Sequence, residues 1–284
     1  MKPFLGILNI VLIALCVVAY VRVAHGAGAF GRSLDVWRDL PRKASSRWIA
    51  ILWLLVFVVD LVQTKSDAGL TASLRLDFTP IIHQLEGSLP AAVQTLAWPP
   101  LTVLLAIAYL ILFPGLLFGS AHVFDRAGDE RNALMVGLVY AINYLVCLPF
   151  YVLFPVLEPW SFPGSGVLPL SDLHVHPWLM DLVRPMSGID NCFPSYHTSL
   201  TVSLVMLARD AGPKPFARAA TWSGALVVAS TVYLGFHWVL DVVFGVIAGV
   251  ICHGLARRFI ESSLARSLLS STSFADAPGS DPRL

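Results

Sequence analysis

His237 and Asp241 stand four residues apart in the run Ser230-Thr-Val-Tyr-Leu-Gly-Phe-His-Trp-Val-Leu-Asp241, which lies between two apolar segments. Side chains four apart share one face of a helix, so the spacing predicts a carboxylate against the His237 ring, fixing its tautomer. A second imidazole, His197, occurs in Gly188-Ile-Asp-Asn-Cys-Phe-Pro-Ser-Tyr-His-Thr198. Pro194 suits a first helical position, which would place Ser195 in the first turn beside unpaired backbone N–H groups, a ready cradle for phosphate. An imidazole backed by a carboxylate is a nucleophile or base, and a second imidazole is an acid. Together with N–H donors, they suit phosphoryl transfer. A lone histidine in a membrane is ordinarily hydrogen-bonding glue between helices. Convergence of Ser195, His197, His237 and Asp241 favours chemistry instead, because ionisable groups buried at a span are costly. Two histidines and a carboxylate could also hold a metal; no further ligand spacing accompanies them, so neither metal nor cofactor is expected.

The elements that must position these residues are membrane helices. The 284 residues are 56% hydrophobic and 13% charged, against about 25% charged in soluble domains. The net charge of +1 and the absence of a basic, aromatic-interleaved stretch give no sign of nucleic-acid binding. Cys16, Cys147, Cys192 and Cys252 form no CxxC pair and imply no disulfide framework. Apolar runs predict spans over 3–24, 48–64, 97–119, 133–156, 194–208, 216–236 and 238–256, most near the length of about 20 residues that a bilayer requires. Trp48, Trp98, Trp160, Trp222 and Trp238 fall near their ends, as an interfacial belt would. The segment 194–208 is short for a span. Two Pro-rich loops, 65–96 and 157–193, carry aliphatics spaced like interfacial helices.

The chain therefore divides into a transmembrane anchor over 1–30, a membrane domain over 48–258 and a disordered cytoplasmic tail over 267–284. Ala27-Gly-Ala29 resembles a signal-peptidase site, but basic residues crowd the C-terminal side of the first span, which favours an uncleaved anchor with its N-terminus out. Fifteen of the nineteen basic residues fall on one side under a strict alternation of spans. The positive-inside rule makes that side cytoplasmic and puts both long loops, His197 and His237 on the exoplasmic (periplasmic or lumenal) side. Asn143 reads as interhelical glue, Asp60 as a possible neighbour of the site, and His174 and His176 as exposed loop residues.

Pro194-Ser195-Tyr196-His197, with Ser230-Thr231, five residues, His237, three residues and Asp241, resembles two motifs of the type-2 phosphatidic acid phosphatase superfamily. The resemblance covers about residues 133–256. Tyr196 replaces a glycine, Thr231 replaces the phosphate-gripping arginine, and the family's first motif is absent. Phe193-Pro-Ser-Tyr-His197, Thr231-Val-Tyr-Leu234 and Phe154-Pro-Val-Leu-Glu-Pro-Trp160 are similar to the branch containing inositol phosphorylceramide synthase. The resemblance implies an all-α, polytopic membrane helical bundle: a six-helix phosphatase-like core plus the N-terminal transmembrane helix. It implies a metal-independent lipid phosphotransferase, with lipid phosphatase as the alternative. His237 is then the nucleophile backed by Asp241, and His197 the acid. Ser195 and Arg184 bind phosphate, and Tyr196, Tyr233, Asp190 and Glu158 line the substrate. The implied partners are membrane lipid substrates and a lipid or polyol hydroxyl acceptor. A proton-coupled transporter is the other reading, and the lack of two similar halves counts against it.

Overall fold

The computed structural model describes residues 2–26, 44–74, 76–175 and 188–262. Its helices, in chain order, are α1 (Lys2–His25), α2 (Ala44–Leu74), α3 (Thr79–Glu86), α4 (Leu89–Val93), α5 (Pro99–Arg126), α6 (Glu130–Leu153), α7 (Leu170–His174), α8 (Tyr196–Ala211), α9 (Lys214–Tyr233) and α10 (Val239–Glu261). Among the described residues there is no strand, only an isolated parallel bridge between Val156 and Asn191. The chain is an all-α membrane helical bundle.

Five helical stretches are long and apolar enough to cross a membrane: Gly6–His25, Arg47–Ser66, Pro99–Arg126, Glu130–Leu153 and Val239–Glu261. The expected spans at 194–208 and 216–236 are helical but fall outside that set. Helix α8 has 16 residues, a rise of about 24 Å, short of the roughly 30 Å hydrocarbon core. Half of its buried residues are polar: Thr198, Ser199, Thr201 and Ser203. Such a helix is sheltered by protein rather than lipid: α8 packs on α10, α9 and α6. The sequence tail and residues 27–43 lie outside the described residues.

Two features set the position of α8. Gly245 and Gly249 of α10 face its N-terminal half; a Cβ at either would stand within 2.9 Å of Ser195 or Ser199 backbone oxygen. Small residues four apart let two helices approach this closely in membranes. Asn143 of α6 then donates to Ser203 Oγ at 3.0 Å and to Val139 O at 2.7 Å and accepts from Ser199 Oγ, while Ser203 donates to Gly249 O at 2.8 Å. It is the interhelical glue expected. Such bonds contribute about 0.6 kcal/mol each in a bilayer, so they fix register more than they add stability. Helix α1 seats Cys16 and Tyr20 over Gly115 and Gly119 of α5.

Candidate active site

The site is built where α9 ends and α10 begins. Helix α9 closes in a Schellman motif: Phe236 N–H donates to Thr231 O and Gly235 N–H to Val232 O, both at 3.0 Å. Gly235 takes φ +89°, and a side chain there would meet Leu168 O at 2.9 Å, so the turn requires glycine. His237 N–H also donates to Thr231 O at 3.0 Å. The interval from Thr231 to His237 is thus the length of this turn. Thr231 itself is fully buried, and its hydroxyl donates to Val228 O at 2.8 Å.

His237 does not lie on α10. Trp238 is the N-cap and Asp241 the third helical residue, so the expected shared helix face is replaced by a cap. The Asp241 carboxylate folds back to accept Trp238 N–H at 2.8 Å, as an N3 acid does, and that brings Oδ2 to 3.4 Å from His237 Nδ1. Trp238 is wholly buried, with its indole donating to Leu157 O at 2.9 Å. Glu86 of α3 completes the start of α10: its carboxylate accepts Val239 N–H at 2.9 Å and Leu240 N–H.

Cys192 joins these parts. Its carbonyl is 3.0 Å from His237 Nδ1, and its thiol lies 2.9 Å from Asp241 Oδ2. Burial, then the charges of Asp241 and Glu158, hold that thiol well above its ordinary range, so it remains an S–H donor, with the carboxylate and, at 3.0 Å, Phe236 O as its acceptors. Nδ1 faces two acceptors, the Cys192 carbonyl and the Asp241 carboxylate, with the Cys192 sulfur, whose own hydrogen is directed at oxygen, at 3.3 Å. The proton therefore sits on Nδ1 and leaves the lone pair on Nε2. Cys192 is held by pairing of residues 156–158 with 189–192: Val156 N–H donates to Asp190 O, Glu158 N–H to Ile189 O and Cys192 N–H to Val156 O. Reciprocal 3.1 Å amide bonds between Gln63 of α2 and Asn191 anchor the same strip.

His197, in the first turn of α8, meets this assembly from the other side. Its ring centroid is 5.9 Å from that of His237. Tyr109 stacks on it at 4.5 Å and Phe113 tilts against it at 4.6 Å. Both aromatics come from the Ala108–Leu112 π-turn of α5 or its edge, a distortion that often marks functional sites. Two imidazoles forty residues apart in sequence thus meet at one end of the bundle.

The other expected site residues divide. Ser195 is the N-cap of α8, not part of its first turn: its hydroxyl oxygen accepts Thr198 N–H at 3.3 Å and its N–H donates to Asp241 O at 3.0 Å. Pro194, in a cis peptide with Phe193, precedes the cap. Tyr196 turns toward α6, with its hydroxyl donating to Tyr140 O at 3.3 Å. The Tyr233 hydroxyl serves Trp98 N–H at 3.1 Å and Thr102 at 3.0 Å, and His174 reaches Thr102 at 2.9 Å. Glu158 is buried and accepts the Trp160 indole N–H. Asp190 enters through its backbone carbonyl. Arg184 and His176 lie outside the described residues. Sequence reasoning missed Cys192, Tyr109, Phe113 and Glu86.

Cys192, His237 and Asp241 bring one donor atom each within 4.8 Å of one another, which is a possible metal-ligand set. Their contacts above account for them as an orienting network around one imidazole. Comparison with curated proteins and with solved structures returns no match. A family model described as the PAP2 superfamily matches residues 81–255, from α3 through most of α10, including both histidines, Asp241, Cys192 and Glu86. That match spans more than half of the chain, and the protein belongs to the PAP2 superfamily, whose chemistry is that of lipid phosphate phosphatases and phosphotransferases.

Proposed function

We propose that this protein is a metal-independent membrane phosphotransferase that moves a phospho-headgroup from one lipid to a lipid or polyol hydroxyl, through a phosphohistidine at His237. The observation that carries the reading is the pairing of His237, its Nδ1 held by Cys192 O and near Asp241, with His197 at a ring distance of 5.9 Å. His237 Nε2 attacks phosphorus; an N–P bond forms, the P–O bond to the leaving group breaks, and His197 gives that oxygen its proton. In the second half His197 takes the proton of the acceptor hydroxyl, the new O–P bond forms and the N–P bond breaks. Asp241 and Cys192 stabilise the imidazolium character that develops on His237. Phosphoryl transfer also needs donors around the equatorial oxygens. Ser195 and the first N–H groups of α8, with Arg184, are the candidates for that role.

The site end is assigned to the exoplasmic side, because Arg126, Arg131, Arg209, Lys214, Arg218, Arg257 and Arg258 lie at the opposite helix ends. The N-terminus is then outside and the C-terminus cytoplasmic. Tyr233, Tyr196, Asp190 and Glu158 contribute to the walls and scaffold rather than to proton transfer. Water as the acceptor would make the same residues a phosphatase, the second reading. Thr231 in place of the phosphatase arginine favours transfer.

The test uses purified protein, a phosphate-labelled phospholipid and added alcohols. The expected result is label in a new lipid or polyol ester, in place of free phosphate, and loss of turnover by at least about four orders of magnitude in His237→Ala. Free phosphate as the sole product at every alcohol concentration would establish the phosphatase reading. Full activity in His237→Ala would remove both. Activity should be insensitive to chelators; loss that is restored by an added divalent cation would overturn metal independence.

A further inference from the structure

The end of α8 remote from His197 carries a second constellation. Arg209 in the last turn of α8 and Lys214, Ala217, Arg218, Thr221 and Trp222 on α9 line a groove of about 600 Å³. Lys214, Arg218 and Trp222 recur every four residues, so one face of α9 presents all three. Among the described residues, none of the three cations has a carboxylate within salt-bridge distance. On the same end of the bundle, Arg131 and Arg257 share Glu261 at 3.1 and 3.3 Å. The nearest acid in sequence, Asp210, is engaged by His253 at 3.0 Å. The N-terminus of α9 opens at the groove with Pro213 as its cap residue and no side-chain cap bond, which adds to the positive potential there. Trp222 is 74% exposed, a placement that suits a ring lying at headgroup level in a membrane.

Positive-inside bias accounts for the sign of these charges but not for their convergence, without an acidic partner among the described residues, around one groove with an exposed indole. We infer that the groove holds the phosphate headgroup of an anionic membrane phospholipid, in the leaflet opposite the one that faces the histidine pair. Arg209, Lys214 and Arg218 would contact the phosphate, and Trp222 would lie along the glycerol and upper acyl region; the Thr221 hydroxyl is spent on Ala217 O at 2.8 Å. Arg209 follows His197 by twelve residues along α8, about 18 Å, so the lipid here is a bound component and not the substrate.

The full chain in detergent provides the test. Its thermal midpoint is followed during titration with phosphatidylglycerol, phosphatidylcholine, glycerol phosphate or inorganic phosphate. Running it in the His237→Ala background keeps occupancy of the active site by turnover out of the readout. Phosphatidylglycerol is expected to raise the midpoint where phosphatidylcholine does not. The double substitution Lys214→Gln, Arg218→Gln is expected to raise the half-saturating concentration by roughly 25-fold, about fivefold per cation. Arg209→Gln alone should give about fivefold, and because all three side chains are exposed, lipid-free midpoints should remain at the parental value. An equal response to phosphatidylcholine, an unchanged phosphatidylglycerol titration in the double variant, or saturation by inorganic phosphate alone would overturn the proposal.

Discussion

The two imidazoles are held in opposite ways. His237 is enclosed by polar bonds: Thr231 O fixes its backbone, Cys192 O and Asp241 Oδ2 face Nδ1, and Glu86 and Asp241 secure the start of α10. Among the described residues the His197 ring takes no hydrogen bond and is placed by the faces of Tyr109 and Phe113. A nucleophile must keep one nitrogen deprotonated and aimed, which calls for a fixed tautomer. A group that gives up a proton and takes one back must change charge without breaking its mount. Aromatic faces restrain its ring while leaving both nitrogens to substrate.

If that division is right, removing the ring mounted on aromatics should separate the two half-reactions. His197→Ala is expected to slow turnover by roughly 10²–10⁴-fold, with phosphoenzyme still accumulating from substrates whose leaving group needs no proton. A phenolic leaving group provides the measurement, and equal losses for phenolic and alkyl esters would contradict the assignment.

On the polar side, Cys192→Ala removes the thiol bond to Asp241 but keeps the carbonyl at Nδ1. A hydrogen bond to a charged group contributes about 1.5–3 kcal/mol, so turnover should fall at least about tenfold with KM little changed. Cys192→Ser should recover most of it. Wild-type turnover in the alanine variant would mean that the carbonyl alone orients the ring.

The smallest expected effect concerns Glu86. Burial, opposed by its bonds to Leu240 and Val239 N–H and reinforced by the Asp241 charge, raises its pKa above the ordinary 4.5. The folded state therefore holds the Glu86 proton more tightly than the unfolded chain does. Its ionisation lowers stability progressively as pH rises from 4.5 through the raised value, and leaves no further pH dependence above that. Glu86→Gln should flatten thermal stability across that window. An unchanged slope would show that Glu86 does not titrate there.

Much of this arrangement is readable in the residues, and the exceptions have physical causes. His237 and Asp241 are legible as a pair, but the reason for their meeting is not: spacing of four suggests a helix face, whereas the contact arises because an N3 carboxylate folds back on its own cap. Cys192 looks like any small apolar residue, since only tertiary pairing of 156–158 with 189–192 brings its carbonyl to the imidazole. Tyr109 and Phe113 sit in an unbroken apolar run, and nothing in such a run marks a π-turn. Glu86 lies in a Pro-rich loop more than 150 residues from the helix it caps. The spans at α1, α2, α5, α6 and α10 follow from apolar length alone. Helix α8 does not, because a helix sheltered by its neighbours can be short and polar and still lie within the bundle.

The most direct test of the central claim is to quench the protein with labelled phospholipid at neutral pH, digest it under alkaline conditions and locate the phosphate by mass spectrometry. An acid-labile phosphate on the peptide containing His237, absent from His237→Ala and, when formed from a phenolic ester, longer-lived in His197→Ala, is the predicted result. Label on His197, on Ser195 or on no residue during active turnover would contradict it.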